Sequence, residues 1–254
     1  MRTLSIGNSF SQDACAYLHD AAASAGVVLE TVNLYIGGCS LEYHAENLRE
    51  NRANYQLEIN GRPTGREVSI REALTRMGSF DFITLQQASH FSGKWETYRP
   101  FLDELAEACR KEQPGAELMI HETWAYEIDS SHWAFEDYGW DQHRMYELLQ
   151  RAYLDAAKAV GAGMIPTGDI IERFRYEVAG FDYPHGGESL CRDGFHLSIP
   201  TGRFLAALVW LETLAGTDAR RVSFLPEGMT EERRAAVAEA VHRFVGEAHS
   251  GAVS

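Results

Sequence analysis

Two short segments at opposite ends of the chain hold residue types that together make a nucleophilic catalyst: Ile6-Gly7-Asn8-Ser9-Phe10-Ser11 and Asp193-Gly194-Phe195-His196. A serine hydroxyl is a weak nucleophile at neutral pH and needs a base to take its proton. An imidazole does this best when a carboxylate fixes its tautomer. Ser9, His196 and Asp193 supply those three groups for acyl transfer. Asp193 precedes His196 by three residues, a spacing that brings two side chains to one side of a turn or helix start. Ser9 follows an apolar run and opens a helical pattern, where the helix dipole favours negative charge. Each residue also has an ordinary reading: Ser9 as a helix N-cap, Asp193-Gly194 as a turn, His196 as one of ten histidines.

The elements that must position these residues alternate between apolar runs and helical patterns. Strands are predicted at Thr3 to Ile6, Leu29 to Ile36, Phe82 to Leu85, Glu117 to His121 and Met164 to Pro166. Helices are predicted at Gln12 to Ala25, at about Arg99 to Glu112 and about Gln142 to Val160, and near Asp169 to Val178, Pro200 to Leu214 and Thr230 to His249. Tyr55 to Ile59 with Asn60-Gly61 reads as a small hairpin near 55–63, outside the main pattern, and Thr64 with Glu67 as a capping box for a helix running to about Met77. Five buried-type strands separated by helices imply a parallel sheet covered on both faces, with ligands at the carboxyl ends of the strands. Ser9, Gly37-Gly38, Gln86-Gln87 and His121-Glu122 all stand just after strands and converge there. The C-terminal helix, with Val237, Val241, Phe244 and Val245 on one side, reads as an amphipathic cover.

The 254 residues carry a formal net charge of −14, which argues against a nucleic-acid partner because such binding draws on clustered Lys and Arg. No linker divides the chain, so one domain over residues 1–254 is expected. No apolar run approaches a membrane span, and the N-terminus lacks a secretory h-region, so a soluble cytoplasmic protein is expected. Cys15, Cys39, Cys109 and Cys191 have no metal-type spacing and suit reduced thiols; Cys39 and Cys191, beside the two key segments, are candidates for spatial neighbours. There is no Gly-x-Gly-x-x-Gly, no phosphate-binding Gly-Lys-Ser/Thr loop and no Gly-x-Ser-x-Gly elbow, and His121-Glu122 is followed by Ala125 where a zinc-protease motif needs histidine.

In order and placement, Gly7-Asn8-Ser9, Gly37-Gly38 and Asp193-Gly194-Phe195-His196 follow the blocks of the SGNH (GDSL-like) hydrolase superfamily, which the chain resembles over nearly its whole length. That resemblance implies a three-layer α/β/α sandwich on a flavodoxin-like five-stranded parallel sheet, and a serine esterase with Ser9, Asp193 and His196 as catalytic residues. It also implies an oxyanion hole built from the N–H groups of Ser9 and Gly38 and one side-chain amide, with no cofactor or metal. The chain departs from the family in two blocks: Asn8 stands where the Gly-Asp-Ser motif has aspartate, a milder change because that position is not the nucleophile, and in the third block Leu85-Gln86-Gln87-Ala88-Ser89 stands in place of Gly-x-Asn-Asp. Gln87 offers the same amide donor on a longer arm, with Gln86 or His90 as alternatives.

Between His121 and Trp140 lie three of the five tryptophans, in a loop expected to overhang the active edge. Aromatic faces with interspersed carboxylates suit an acylated sugar, giving Gln86, His121, Trp124, Tyr126 and Trp133 as substrate-binding candidates. The same segment could instead pack on its own aromatics or serve as the contact of a homo-oligomer. The expected reaction is removal of a short acyl group, acetate foremost, from a small hydroxylated molecule. A non-catalytic carbohydrate-binding domain, or a thioesterase or phosphoesterase on the same scaffold, is the alternative.

Overall fold

A computed structural model of the protein describes residues 1–251. In chain order the elements are β1 (Arg2–Gly7), α1 (Ser9–Cys15), α2 (Leu18–Ser24), β2 (Glu30–Tyr35), α3 (Leu41–Glu50), β3 (Tyr55–Ile59), β4 (Arg62–Val68), α4 (Ile70–Arg76) and β5 (Phe82–Leu85). Then follow α5 (Phe101–Glu112), β6 (Glu117–His121), α6 (Gln142–Val160), β7 (Gly163–Ile165), α7 (Thr167–Glu177), α8 (Thr201–Ala215) and α9 (Glu231–Gly251).

The sheet runs β4-β3-β2-β1-β5-β6-β7. Its five parallel strands, β2-β1-β5-β6-β7, have the doubly wound order in which the first strand lies inside the second. The strand order reverses between β1 and β5, where Ile6 pairs with Leu85, so the residues after these strands border the crevice that such sheets use for ligands. Helices α3, α4, α5 and α6 cover one face; α1, α2, α7, α8 and α9 cover the other. α8 is mostly apolar, with Phe204, Leu205, Leu208, Trp210 and Leu211 all buried, because α9 covers it from outside. Val237, Val241, Phe244 and Val245 form the inner face of α9 as the periodicity requires.

Four features differ from the sequence reading. The hairpin is not an appendage: β3 pairs antiparallel with β2 and β4 with β3, so the sheet has seven strands. Its Asn60-Gly61 turn takes positive φ at both residues, as a type I′ turn demands. The helix predicted from Thr64 is displaced, because Arg62–Val68 extends the hairpin as β4; Ser69 is the true cap, accepting from Glu72 N–H at 3.1 Å. The helix predicted over 12–25 is broken into α1 and α2, and Gly61 packs against the break so closely that a Cβ there would lie 2.5 Å from Ala16 O. Finally, α3 was not foreseen. Its buried residues are Leu41, His44, Ala45, Asn47 and Leu48, and a histidine and an asparagine among them hide the apolar period.

Candidate active site

The start of α1 is shaped around Gly7 and Asn8. A Cβ on Gly7 would fall 2.3 Å from Ser11 Oγ, so only glycine lets the chain turn from strand to helix with Ser11 beneath it. Asn8 is the helix N-cap: its Oδ1 accepts the Phe10 N–H at 3.0 Å. The capping role considered for Ser9 therefore falls to its neighbour. Ser9 is the first residue of the helix, half-buried, with neither its hydroxyl nor its N–H bonded to any described residue.

After β2 the chain makes a tight turn over residues 36–39, closed by Cys39 N–H to Ile36 O at 3.3 Å. Gly38 takes φ +64°, the left-handed region that the third position of a type II turn requires, and its N–H has no acceptor among the described residues. Asn8 Nδ2 donates to Cys39 O at 3.1 Å and ties the turn to the start of α1.

Asp193 and His196 meet as their spacing predicts. Asp193 Oδ2 lies 2.8 Å from His196 Nδ1, while Oδ1 accepts the His196 N–H at 2.8 Å and the Phe195 N–H at 3.3 Å. Burial pushes the Asp193 carboxyl up, but these hydrogen bonds outweigh it and hold the group below its ordinary range. Neither Asp169, Asp182 nor Glu122 touches this imidazole.

The loop bearing the pair is strapped down from several directions. Cys191 and Leu197 form an antiparallel bridge, Glu127 N–H donates to Gly194 O at 2.7 Å, and Trp124 Nε1 donates to Phe195 O at 2.8 Å. Gly194, at φ +85°, packs against Ser130, where a Cβ would lie 2.9 Å from its Cα. Leu197 N–H donates to Asp13 Oδ2 at 2.8 Å. Asp13 is fully buried on α1, one turn after Ser9, and it also takes Arg192 Nη1 at 3.0 Å and Arg203 Nε at 2.8 Å. It thus joins the helix of Ser9 to the loop of His196. The sequence reading missed it, although a carboxylate between Phe10 and Ala14 on the inward face of a helix is a signal of a buried partner. Trp124 stacks on Phe10 at 4.3 Å, and the Phe10 ring lies 6.1 Å from that of His196. The expected hydrogen bond between Ser9 Oγ and His196 is not formed; such contacts are often long before substrate closes them.

Most of the other site residues named from sequence point inward. Gln87 does not face the oxyanion position: both N–H of its amide are committed to Thr97, to the carbonyl and to Oγ1 at 3.0 Å each, and its Oε1 accepts from Leu41 N–H and Ala88 N–H. Gln86 is buried between Asn8 and His121. His121, Trp124 and Tyr126 are buried too, Tyr126 paired with Ser89 Oγ at 2.9 Å, so none of the three presents a surface to a substrate. The aromatic segment instead holds the histidine loop. Trp133 is the exception, 68% exposed. Its ring lies beside those of His90 and His132, and His132 leads through Phe195 to His196, forming an aromatic rim next to the Asp193–His196 pair. Burial lowers the His132 pKa. Cys39 and Cys191 are not neighbours: Cys39 contacts His44, Cys191 contacts Arg175, and both thiols are pushed up to about 12 by burial.

Next to His121, Glu122 is fully buried and its Oε2 accepts the Asp169 N–H at 2.9 Å. Burial, reinforced by the charge of Asp169, raises its pKa well above the ordinary range, so the fold holds it protonated where the unfolded chain ionises it. A group whose folded pKa is raised stabilises below its unfolded pKa and loses that contribution as pH rises. Glu122→Gln keeps an acceptor for Asp169 N–H without this loss. Its unfolding free energy is expected to match wild type near pH 4.5 and to exceed it at higher pH. The gain is about 1.4 kcal/mol per pH unit until Glu122 ionises in the fold. Urea titrations at pH 4.5, 6 and 7 measure the difference, and a constant gap across these pH values would contradict it.

The family profile described as Domain of unknown function (DUF4886) matches residues 2–243. A crystal structure of a DUF4886 family protein from Bacteroides uniformis is 36% identical, with a TM-score of 0.87 over 96% of this chain and 93% of that one. A candidate SGNH hydrolase from Slackia heliotrinireducens is 26% identical, with a TM-score of 0.55 over 84% of this chain and 98% of its own. A catalytic mutant of an acetylxylan esterase from Geobacillus stearothermophilus shares the fold at 11% identity, with a TM-score of 0.52 over 88% and 94% of the two chains. No curated protein matches the sequence.

Proposed function

The chain belongs to the DUF4886 family and has the fold of the SGNH hydrolases, and from that premise we propose that it is a serine esterase that removes a short acyl group, acetate foremost, from a carbohydrate. The observation that carries this reading is the Asp193–His196 pair, held by the Asp13 and Trp124 straps over the start of α1, where the Ser9 hydroxyl is left out of the helix cap. With its Nδ1–H donated to Asp193 Oδ2, His196 has its Nε2 lone pair available as base. Ser9 Oγ attacks the ester carbonyl and passes its proton to Nε2; the oxyanion accepts from the N–H groups of Ser9 and Gly38; collapse expels the alcohol, which takes the proton from Nε2. Water then repeats the sequence on the acyl-enzyme and frees the acid.

With the Gln87 amide committed to Thr97, two backbone donors serve the oxyanion. A side-chain donor is worth roughly 100-fold to 1000-fold in turnover, so turnover below that of a three-donor site is expected. The carbohydrate part of the reading rests on Trp133, whose exposed indole beside His90 and His132 suits the face of a sugar ring. Incubation with a fluorophosphonate is expected to label one site, located by mass spectrometry on the peptide containing Ser9, and to stop cleavage of para-nitrophenyl acetate. No labelling and no hydrolysis of any short acyl ester would sink the esterase reading. Binding of acetylated xylo-oligosaccharides without turnover would favour a carbohydrate-binding domain instead.

A further inference from the structure

A row of hydrogen bonds crosses the carboxyl edge of the sheet, from the end of β6 to the turn after β2. His121 Nδ1 lies 2.6 Å from Gln86 Oε1, Gln86 Nε2 donates to Asn8 Oδ1 at 2.8 Å, and Asn8 Nδ2 donates to Cys39 O at 3.1 Å. All four residues are buried. The direction of the row is fixed by its neighbours. Asn8 Oδ1 must face Phe10 N–H and Gln86, which leaves its NH2 for Cys39. Gln86 then has only its carbonyl oxygen to offer His121, so Nδ1 carries the proton. His121 Nε2 has no partner among the described residues, and burial keeps the ring neutral, its pKa lowered to about 3.

We infer that His121 and Gln86 are positioning residues which, through Asn8, hold the Gly38 turn with its N–H toward the oxyanion, and that this row requires asparagine rather than aspartate at position 8. The inference rests on the esterase reading for its consequence in turnover, but not for its consequence in structure. Its chemical content is that the third block has changed employment. Gln86 spends its amide on Asn8, and Asn8 spends its own on the Cys39 carbonyl, one residue beyond Gly38. Had position 8 the aspartate usual in the resembling family, an ionised oxygen would stand about 3 Å from a carbonyl oxygen in a site closed to water, two acceptors with no proton between them.

Asn8→Asp restores the Gly-Asp-Ser motif and leaves side-chain size unchanged, so the two views oppose each other. Here it is expected to lower kcat for para-nitrophenyl acetate by about 100-fold with little change in KM, as loss of one oxyanion donor does, and to shift the amide NMR cross-peaks of Gly38 and Cys39. Gln86→Leu, which keeps Asn8, is expected to move the same two cross-peaks and to lower kcat by about tenfold. It stands in for Asn8→Asp should that variant not fold. Nitrogen-15 spectra of wild type are expected to place the His121 proton on Nδ1 at pH 5 to 8. An unchanged or improved kcat in Asn8→Asp, unmoved Gly38 and Cys39 peaks in either variant, or the His121 proton on Nε2 would overturn the inference. If the wild type hydrolyses no ester, the esterase reading fails, while the cross-peaks and the His121 tautomer still decide whether the row holds the turn.

Discussion

Ser9→Ala is expected to remove para-nitrophenyl acetate turnover almost completely, lowering kcat by about a million-fold, and Asp193→Asn to lower it by about ten-thousand-fold. The two losses have different causes. Without the hydroxyl there is nothing to acylate, and residual rate comes only from binding and the oxyanion donors. Asparagine at 193 is subtler, because Oδ1 still accepts the N–H groups of Phe195 and His196 and the loop keeps its shape. The side-chain NH2 then faces His196 Nδ1 in place of the carboxylate oxygen. That turns Nδ1 into an acceptor and moves the ring proton to Nε2, the atom that must take the proton from Ser9. Steady-state kinetics beside thermal unfolding separate chemistry from folding: both variants should melt close to wild type. An Asp193→Asn enzyme within tenfold of wild type would remove Asp193 from the mechanism.

Trp124→Ala is expected to destabilise the protein by about 3 to 5 kcal/mol, the range for deleting a large aromatic from a packed core. Against a total stability of order 5 to 15 kcal/mol this is a large fraction. Trp124 is fully buried, stacks on Phe10 and donates to Phe195 O, so the cavity would open between the nucleophile helix and the histidine loop. Activity should fall further than the folded fraction accounts for, since both reacting residues lose a shared wall. Trp124→Phe keeps the stacking surface and loses the hydrogen bond, and should cost about 1 kcal/mol. Urea unfolding gives both numbers, and an alanine variant within 1 kcal/mol of wild type would show that the indole is not an anchor.

The contrast between Trp124 and Trp133 shows where sequence reading reaches its limit. Both stand in one aromatic segment, nine residues apart, and composition treats them alike. One is buried and one is 68% exposed because the loop of residues 191–197, more than 60 positions away, lies over the first and not the second. Gln86 and Gln87 fail in the same way. Either amide could serve an oxyanion, but the partners that occupy them, Asn8, His121, Thr97 and Leu41, arrive from other strands, loops and helix starts. An unpaired buried amide is costly, so whichever groups the fold brings within reach take the donors first.

Local rules account for the features legible in the chain alone. Short apolar runs gave the five parallel strands and helical periodicity most of the helices; the pattern from about Gln142 to Val160 coincides with α6, whose ends the structure closes with Asp141 and Gly161. The Asp193–His196 contact was legible too, since three residues of a turn suffice to close it. The tertiary structure alone decided that Asp13 fastens the Ser9 helix to the His196 loop, that the hairpin extends the sheet, and that Asn8, Gln86 and His121 form one row behind the Gly38 turn. The reason is the range of the forces. Backbone propensity and side-chain spacing act over a few residues, whereas the burial of a polar group is resolved only by whichever distant segment supplies its partner.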